Sequence, residues 1–405
     1  MDILFFSPAY PPEMNQCTRG LAEVGARVWG VGDSALESIP AETRRHLAGY
    51  LQVSAILDEE DVYRRVLAWV GDRKLDRIES NWEVTQLLAA RLREALGIPG
   101  MSVDVVRGFR DKPLMRERVA AAGLRVPQTR RAHTRSEVWA AAEAIGYPVV
   151  VKPVAGAGSA DTFFLDKPGM MDPALDQIRH VPEVSVEEAI VGEELTYETL
   201  CVDGVPVYES VSLYLPNCLV ARQNEWVSPV ILSVRDLTAP WIQPGLELGR
   251  RVLGALGMGT GFTHMEWFRK PDGEAVFGEI ACRAPGANMV DLMNYTSDID
   301  LFREWARVVC WHRFEVDATR KYNAAIIFKR AQGAGTIRGY AGLDTFLHKY
   351  GAHVARVDLL PVGAPRRDWR QTFLSDGNLV VRHPDWDTAR RMAMVAAEQI
   401  QVYAG

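Results

Sequence analysis

Two glutamates, Glu266 and Glu279, stand thirteen residues apart in the stretch 261–288, GFTHMEWFRKPDGEAVFGEIACRAPGAN. The stretch reads as a β-hairpin. Positions 263–268 alternate as a strand, KPDG at 270–273 supplies Pro and Gly turn chemistry, and 275–280 returns as a second strand. A turn between the arms brings both carboxylates to one sheet face. Carboxylates held close resist ionising unless a cation sits between them. Hard oxygen ligands suit Mg²⁺, which is commonly held by one or two carboxylates plus substrate phosphates. Neither acid lies in a charge-rich run: Glu266 is flanked by Met265 and Trp267, and Glu279 follows Val276-Phe277-Gly278. Two glutamates on a hairpin also fit a solvated face, so the rest of the chain must supply a nucleotide site to decide the matter. Arg283, four residues after Glu279, is placed to clamp a transferring phosphoryl group. Cys282 beside it is a poor nucleophile, because the two acids oppose a thiolate.

Further stretches bear on the nucleotide. Asp111-Lys112-Pro113 reads as a helix start, with Asp111 as the N-cap and Pro113 in the first turn. Lys112 there can meet an anion, although a solvated lysine fits the same letters. Val149-Val150-Val151-Lys152 runs an apolar strand into a lysine, which needs an anionic partner once partly desolvated. Behind it, Gly156, Gly158 and Ser159 let backbone N–H groups approach phosphate oxygens closely; a plain turn is the alternative. No GK[ST] closes this loop and the lysine precedes the glycines, so it is not a Walker loop. Positions 184–194 read as a strand passing into a short connector, which can offer a carbonyl and an N–H to adenine while Glu194 accepts from ribose hydroxyls.

The elements that must position these groups follow from pattern. Residues 1 to about 105 alternate strand (3–6, 27–31, 51–57, 77–80) and helix (15–24, 62–70, 84–96), which implies a parallel sheet with helices on both faces. Gly30-Val-Gly32-Asp-Ser-Ala35 matches a loose dinucleotide fingerprint, but it follows the second strand, Pro40 interrupts any helix, and no acid stands about twenty residues on. These glycines read better as turn residues. Positions 216–229 form a polar loop able to close over a site, 246–256 a helix, and 289–309 one helix. The last unit, from 322, carries strands at 354–360 and 379–381 and a helix at 388–401, with no catalytic set.

The 405 residues carry 46 Lys+Arg against 52 Asp+Glu, a net charge of −6. That balance gives no electrostatic footprint for nucleic acid or an anionic membrane. No apolar run approaches the ~20 residues needed to span a bilayer. The N-terminus lacks a signal-peptide pattern. Five cysteines without metal or disulfide spacing fit a reducing, cytoplasmic setting.

The order of these parts resembles the ATP-grasp superfamily of carboxylate–amine ligases, closest to its L-amino-acid ligase and biotin-carboxylase-like branch. The resemblance covers nearly the whole chain. It implies an α/β protein with a Rossmann-like pre-domain over 1–107 and an ATP-grasp domain over 108–320, divided into a small lid (112–185) and a large subdomain (186–320). A biotin-carboxylase-like α+β unit would occupy 321–405. It implies ATP, and Mg²⁺ or substituting Mn²⁺, held as follows. Lys112 and Lys152 would contact phosphates, and Gly156, Gly158 and Ser159 would cover them. Glu187 and Ile190 would frame adenine, Glu194 would hold ribose, Glu266 and Glu279 the metal, and Arg283 would lie by the acyl phosphate. Many members carry Asn two residues after the second metal acid; here it is Ala281, so water or Asn288 would take that place. The reaction implied joins a small-molecule carboxylate to an amine through an acyl phosphate, with no nucleic-acid or membrane partner and room for a homodimer. Formate, bicarbonate or thiol acceptors, or nucleotide binding without turnover, are the alternatives.

Overall fold

A computed structural model describes residues 1–154 and 161–405. The expected glycine loop, with Gly156, Gly158 and Ser159, lies outside the described residues. Four strands, β1 (Asp2–Phe6), β2 (Arg27–Gly32), β3 (Leu47–Gln52) and β4 (Arg77–Glu79), make a parallel sheet in the order β3-β2-β1-β4. Strand β1 lies between two neighbours and is covered on both faces, which is why all five of its residues are buried and its letters do not alternate. Its helices include Met14–Glu23, Glu59–Val70 and Gln86–Leu96.

Two expectations in this region are corrected. The third strand is Leu47–Gln52, not 51–57: its mixed letters LAGYLQ suit a partly exposed edge, whereas Val53 and Ile56 are buried beyond its end. Gly30 and Gly32 are strand residues rather than turn residues. A Cβ on Gly32 would stand 2.7 Å from the Tyr50 hydroxyl, and one on Gly30 3.0 Å from Pro8 and Tyr50. They make room for those side chains, and only a short 3₁₀ turn, Leu36–Ser38, follows. No helix start is there to receive a pyrophosphate.

A second, antiparallel sheet has the order β5-β8-β6-β7, from β5 (Thr129–Ala132), β6 (Val149–Pro153), β7 (Phe163–Leu165) and β8 (Val184–Glu188). The helix Arg135–Ile145, opened by a Thr134/Glu137 capping box, packs on it. The boundary expected near 185 falls inside β8.

The third sheet has eight strands. In chain order they are β9 (Glu193–Val202), β10 (Val205–Leu215), β11 (Val230–Ser233), β12 (Gly261–Arg269), β13 (Ala275–Ala281) and β14 (Asn323–Phe328). After β15 (Ile337–Ala341), which pairs with β18 (Gln401–Ala404) in a two-stranded sheet of its own, come β16 (Val354–Leu359) and β17 (Gly377–His383). The sheet order is β13-β12-β9-β10-β11-β14-β17-β16. Strands from beyond residue 320 therefore extend the same sheet that carries the hairpin.

One face of this sheet buries Leu195, Tyr197, Met265 and Trp267 against the helix Gln243–Leu256. Two glycines permit the contact. A Cβ on Gly245 would lie 2.1 Å from the Trp267 ring and one on Gly249 2.3 Å from Tyr197. The helix Lys112–Ala121, placed by the sequence reading in the small unit, buries Met115 and Val119 in this same cluster. On the other face, Leu200 and Phe262 meet the helix Leu301–Trp311. The single helix expected over 289–309 is two, Met289–Ser297 and Leu301–Trp311. Asp298 takes φ 56° and ends the first, and the Asp300 side chain caps the second. Within the loop expected at 216–229, Asn217 caps a short helix, Cys218–Gln223.

Candidate active site

Glu266 and Glu279 are direct register partners across β12 and β13, so their side chains leave the same sheet face side by side. The register shifts immediately after Glu266. Gly278 sits at that irregularity, where a Cβ would come within 2.7 Å of the Glu266 carbonyl oxygen. Burial pushes the Glu266 carboxyl up to about 7, with the Glu279 charge adding and His264 opposing. Like charges held this way by the backbone fit a divalent cation, which would relieve both the desolvation and the repulsion.

Lys112 supplies the nearest positive charge, its Nζ 2.5 Å from Glu279 Oε2. Asp111 fixes the helix start by accepting from the Leu114 N–H at 3.1 Å, which aims Lys112 at the hairpin. Burial works against the ammonium, but Glu279 and Glu266 outweigh it and its pKa is raised. Glu194, at the start of β9, is buried, and its Oε2 accepts from the Cys218 N–H at 2.7 Å. Burial raises its pKa, and Glu279 adds. Ligand atoms of Glu194, Cys218 and Glu266 lie within 4.8 Å of one another. Burial and the neighbouring acids hold the Cys218 thiol protonated, so the carboxylates are the donors suited to a hard cation. Lys112, Glu194, Glu266 and Glu279 thus converge.

Lys152 ends up on a different acid. Its Nζ lies 2.8 Å from Glu187 Oε2 across β6 and β8. Arg116 forks the same carboxylate at 2.9 and 3.0 Å, and the Ser185 hydroxyl donates at 2.9 Å. Burial alone would raise the Glu187 pKa, but Arg116 and Lys152 bring it down to about 2. The Glu187 side chain is therefore an anchor for two cations, and Ile190 in the connector that follows is half-buried. Arg283 reaches back to the first unit, with Nε 3.0 Å and Nη2 2.8 Å from Glu83 Oε2, while Arg110 donates to the other oxygen, Oε1, of the same carboxylate. The Cys282 thiol donates to Gln86 Oε1 at 2.8 Å, and burial pushes it up to about 12, which removes it as a nucleophile. Asn288 donates its backbone N–H to Glu13 Oε1 at 3.4 Å.

Sequence reading missed Glu83, Arg116 and Glu198. Arg116 stands one turn after Lys112 on the same helix face, a spacing that could have flagged it. Glu83 and Glu198 carry no such local signal.

The architecture is the ATP-grasp fold. A family model described as the carbamoyl-phosphate synthase L chain, ATP binding domain, matches residues 111–186. The L-arginine-specific L-amino acid ligase of Bacillus subtilis is 27% identical over 234 residues, 56% of each chain. The formate-dependent phosphoribosylglycinamide formyltransferase of Corynebacterium efficiens is 27% identical over 275 residues, 67% of this chain and 65% of that one. The matched region spans about half the length of the first curated relatives, 56% and 51%. The crystal structure of an L-amino acid ligase from Bacillus licheniformis superposes with a TM-score of 0.77, covering 100% of this chain and 99% of that one at 18% identity, a likeness of fold.

Proposed function

We propose that this protein is an ATP-dependent ligase that joins a small-molecule carboxylate, an amino acid or a small biosynthetic acid, to an amine. The observation that carries the reading is the register pairing of Glu266 with Glu279, with Lys112 on Glu279. In the first step a carboxylate oxygen attacks the γ-phosphorus of ATP and ADP leaves, giving an acyl phosphate. In the second, the amine nitrogen attacks the acyl carbon, phosphate leaves, and the nitrogen loses its proton. When bound, Mg²⁺ supplies charge neutralisation between the phosphates and the two acids. Lys112 and Lys152 take phosphate oxygens, Arg283 the acyl phosphate, Glu194 the ribose, and the connector at Ile190 the adenine. The small sheet excludes water, to which an acyl phosphate is labile.

In this reading 1–107 is the pre-domain, 108–320 the ATP-grasp domain, 321–405 the closing unit, and the protein is cytoplasmic. Amine-dependent release of ADP and phosphate, screened over pairs of amino acids and other acids, tests it. Glu279→Gln is expected to lower turnover by at least about 10²-fold, the scale of losing a group that stabilises transition-state charge, while nucleotide affinity is partly kept. Near-normal turnover in that variant would sink the assignment. The similarity to the formate-dependent transferase favours one second reading, formate as the acid, which the same screen separates.

A further inference from the structure

Inward from the hairpin acids, the same sheet face carries another carboxylate. Glu198 on β9 has no exposed surface and is the direct register partner of His264 on β12. His264 Nδ1 lies 2.9 Å from Glu198 Oε1, and its other nitrogen, Nε2, lies 3.8 Å from Glu266 Oε1. The second oxygen of Glu198 has no hydrogen-bond partner among the described residues. A buried carboxylate demands a donor, and the His264 ring is that donor. With Nδ1–H committed to Glu198, the ring plane and the proton on Nδ1 are fixed. Nε2 then faces Glu266, two residues along the same strand. On its other flank the ring's register neighbour is Ala281, whose methyl cannot reach between His264 and Glu266.

We propose that His264, held by Glu198, is a positioning residue for Glu266: it fixes the orientation in which that carboxylate faces Glu279, and so sets the divalent-cation affinity of the pair. The inference rests on the reading of Glu266 as a metal ligand. An unsupported glutamate on a half-open face samples several rotamers, and binding a cation must then select one. At 3.8 Å the ring makes no hydrogen bond to Glu266; its fixed edge instead occupies space that some rotamers of that carboxylate would need, which leaves the cation less to select. Glu198 contributes at a distance from the cation by stopping the ring from turning.

The test uses the full chain and Mn²⁺ alone, with binding read by water-proton relaxation and the free-ion electron paramagnetic resonance signal. His264→Asn keeps an amide donor near the Nδ1 position for Glu198 and removes the group facing Glu266. Its Mn²⁺ affinity is expected to fall about tenfold, the lower end of the range for such outer partners. Its nucleotide affinity in EDTA and its melting temperature are expected to stay near those of the parent. Glu198→Gln is expected to give a loss of the same size, and the double variant no more than either single, because both act on one carboxylate. Parent-like Mn²⁺ affinity in His264→Asn, additive losses in the double variant, or an equal loss of metal-free nucleotide affinity would each overturn the proposal. Glu266→Gln separates the two ideas. If it keeps Mn²⁺ affinity, the ligand assignment fails and this inference with it; if it loses affinity while His264→Asn does not, only this inference fails.

Discussion

Glu266 is held where its charge is least welcome, recessed on the sheet and across from Glu279, which accounts for a carboxyl lifted from 4.5 to about 7. Between those values the folded protein binds the proton more tightly than the unfolded chain, so this group's contribution to stability falls as pH rises through the window. In metal-free buffer, Glu266→Gln is therefore expected to raise the melting temperature at pH 8 by roughly 1–3 °C. At pH 5 the parent carboxyl is already protonated and the gain should vanish. A gain of equal size at both pH values, in melts followed by circular dichroism, would mean that the strain is not electrostatic. Glu187 shows the opposite case, its proton driven off by Arg116 and Lys152. The sequence singles out Lys112, Lys152, Glu266 and Glu279 because each stands at a turn, cap or strand end with a local signature. The ion pairs of Glu187 went unseen, as did Glu83 and Arg116, for one reason. Their partners lie 71 residues away for Arg116 and Glu187 and 200 for Glu83 and Arg283, and no local pattern encodes which distant cation a carboxylate will meet.

The element that makes the hairpin rigid is the helix behind it. Gln243–Leu256 lies close enough to Trp267 and Tyr197 that glycine alone fits at 245 and 249. Gly245→Ala would drive a methyl into the Trp267 ring, next in sequence to Glu266, and is expected to destabilise by about 1–3 kcal/mol, the usual scale of overpacking. Gly254, on the exposed side of the same helix, meets nothing within 4 Å. Gly254→Ala should instead stabilise by about 0.5–1 kcal/mol through helix propensity. Urea titrations of both variants check the contrast; equal effects would mean that the close approach is not what selects glycine. The helix itself was readable from its apolar spacing. Its packing distance was not, since glycine inside a helix pattern can mean either close contact or mere tolerance. The division at Asp298 was missed likewise, because the apolar spacing of 289–309 runs across it, and only the left-handed turn and the Asp300 cap interrupt the backbone.

Across the whole molecule the question is which pieces open together. The small sheet encloses its own apolar cluster, including Val138, Val149, Val151, Leu165 and Val186, so it can open alone. The closing unit cannot. Strand β14 lies between β11 and β17 in the eight-stranded sheet. Val230, Leu232, Ala325, Ile327 and Val381 share one cluster with Met392 and Ala396 of the helix Trp386–Gln399. The family resemblance implies a new unit from 321 and the sequence places further strands from 322, but strand pairing is a long-range choice that such a pattern leaves open. Lys152 rides on the small sheet, whereas Lys112 sits on a helix packed into the large one. Opening of the small sheet would therefore separate the two lysines without disturbing Glu266 and Glu279 on the large one. Native-state hydrogen exchange measures this directly. Amides of β14 and β17 are expected to exchange with the same free energy and denaturant dependence as those of β9 and β10, and amides of β6 and β8 through a smaller, less costly opening. Exchange of β14 ahead of β10 would break the large sheet into two cooperative units and leave the hairpin acids without the rigid floor on which the proposed chemistry depends.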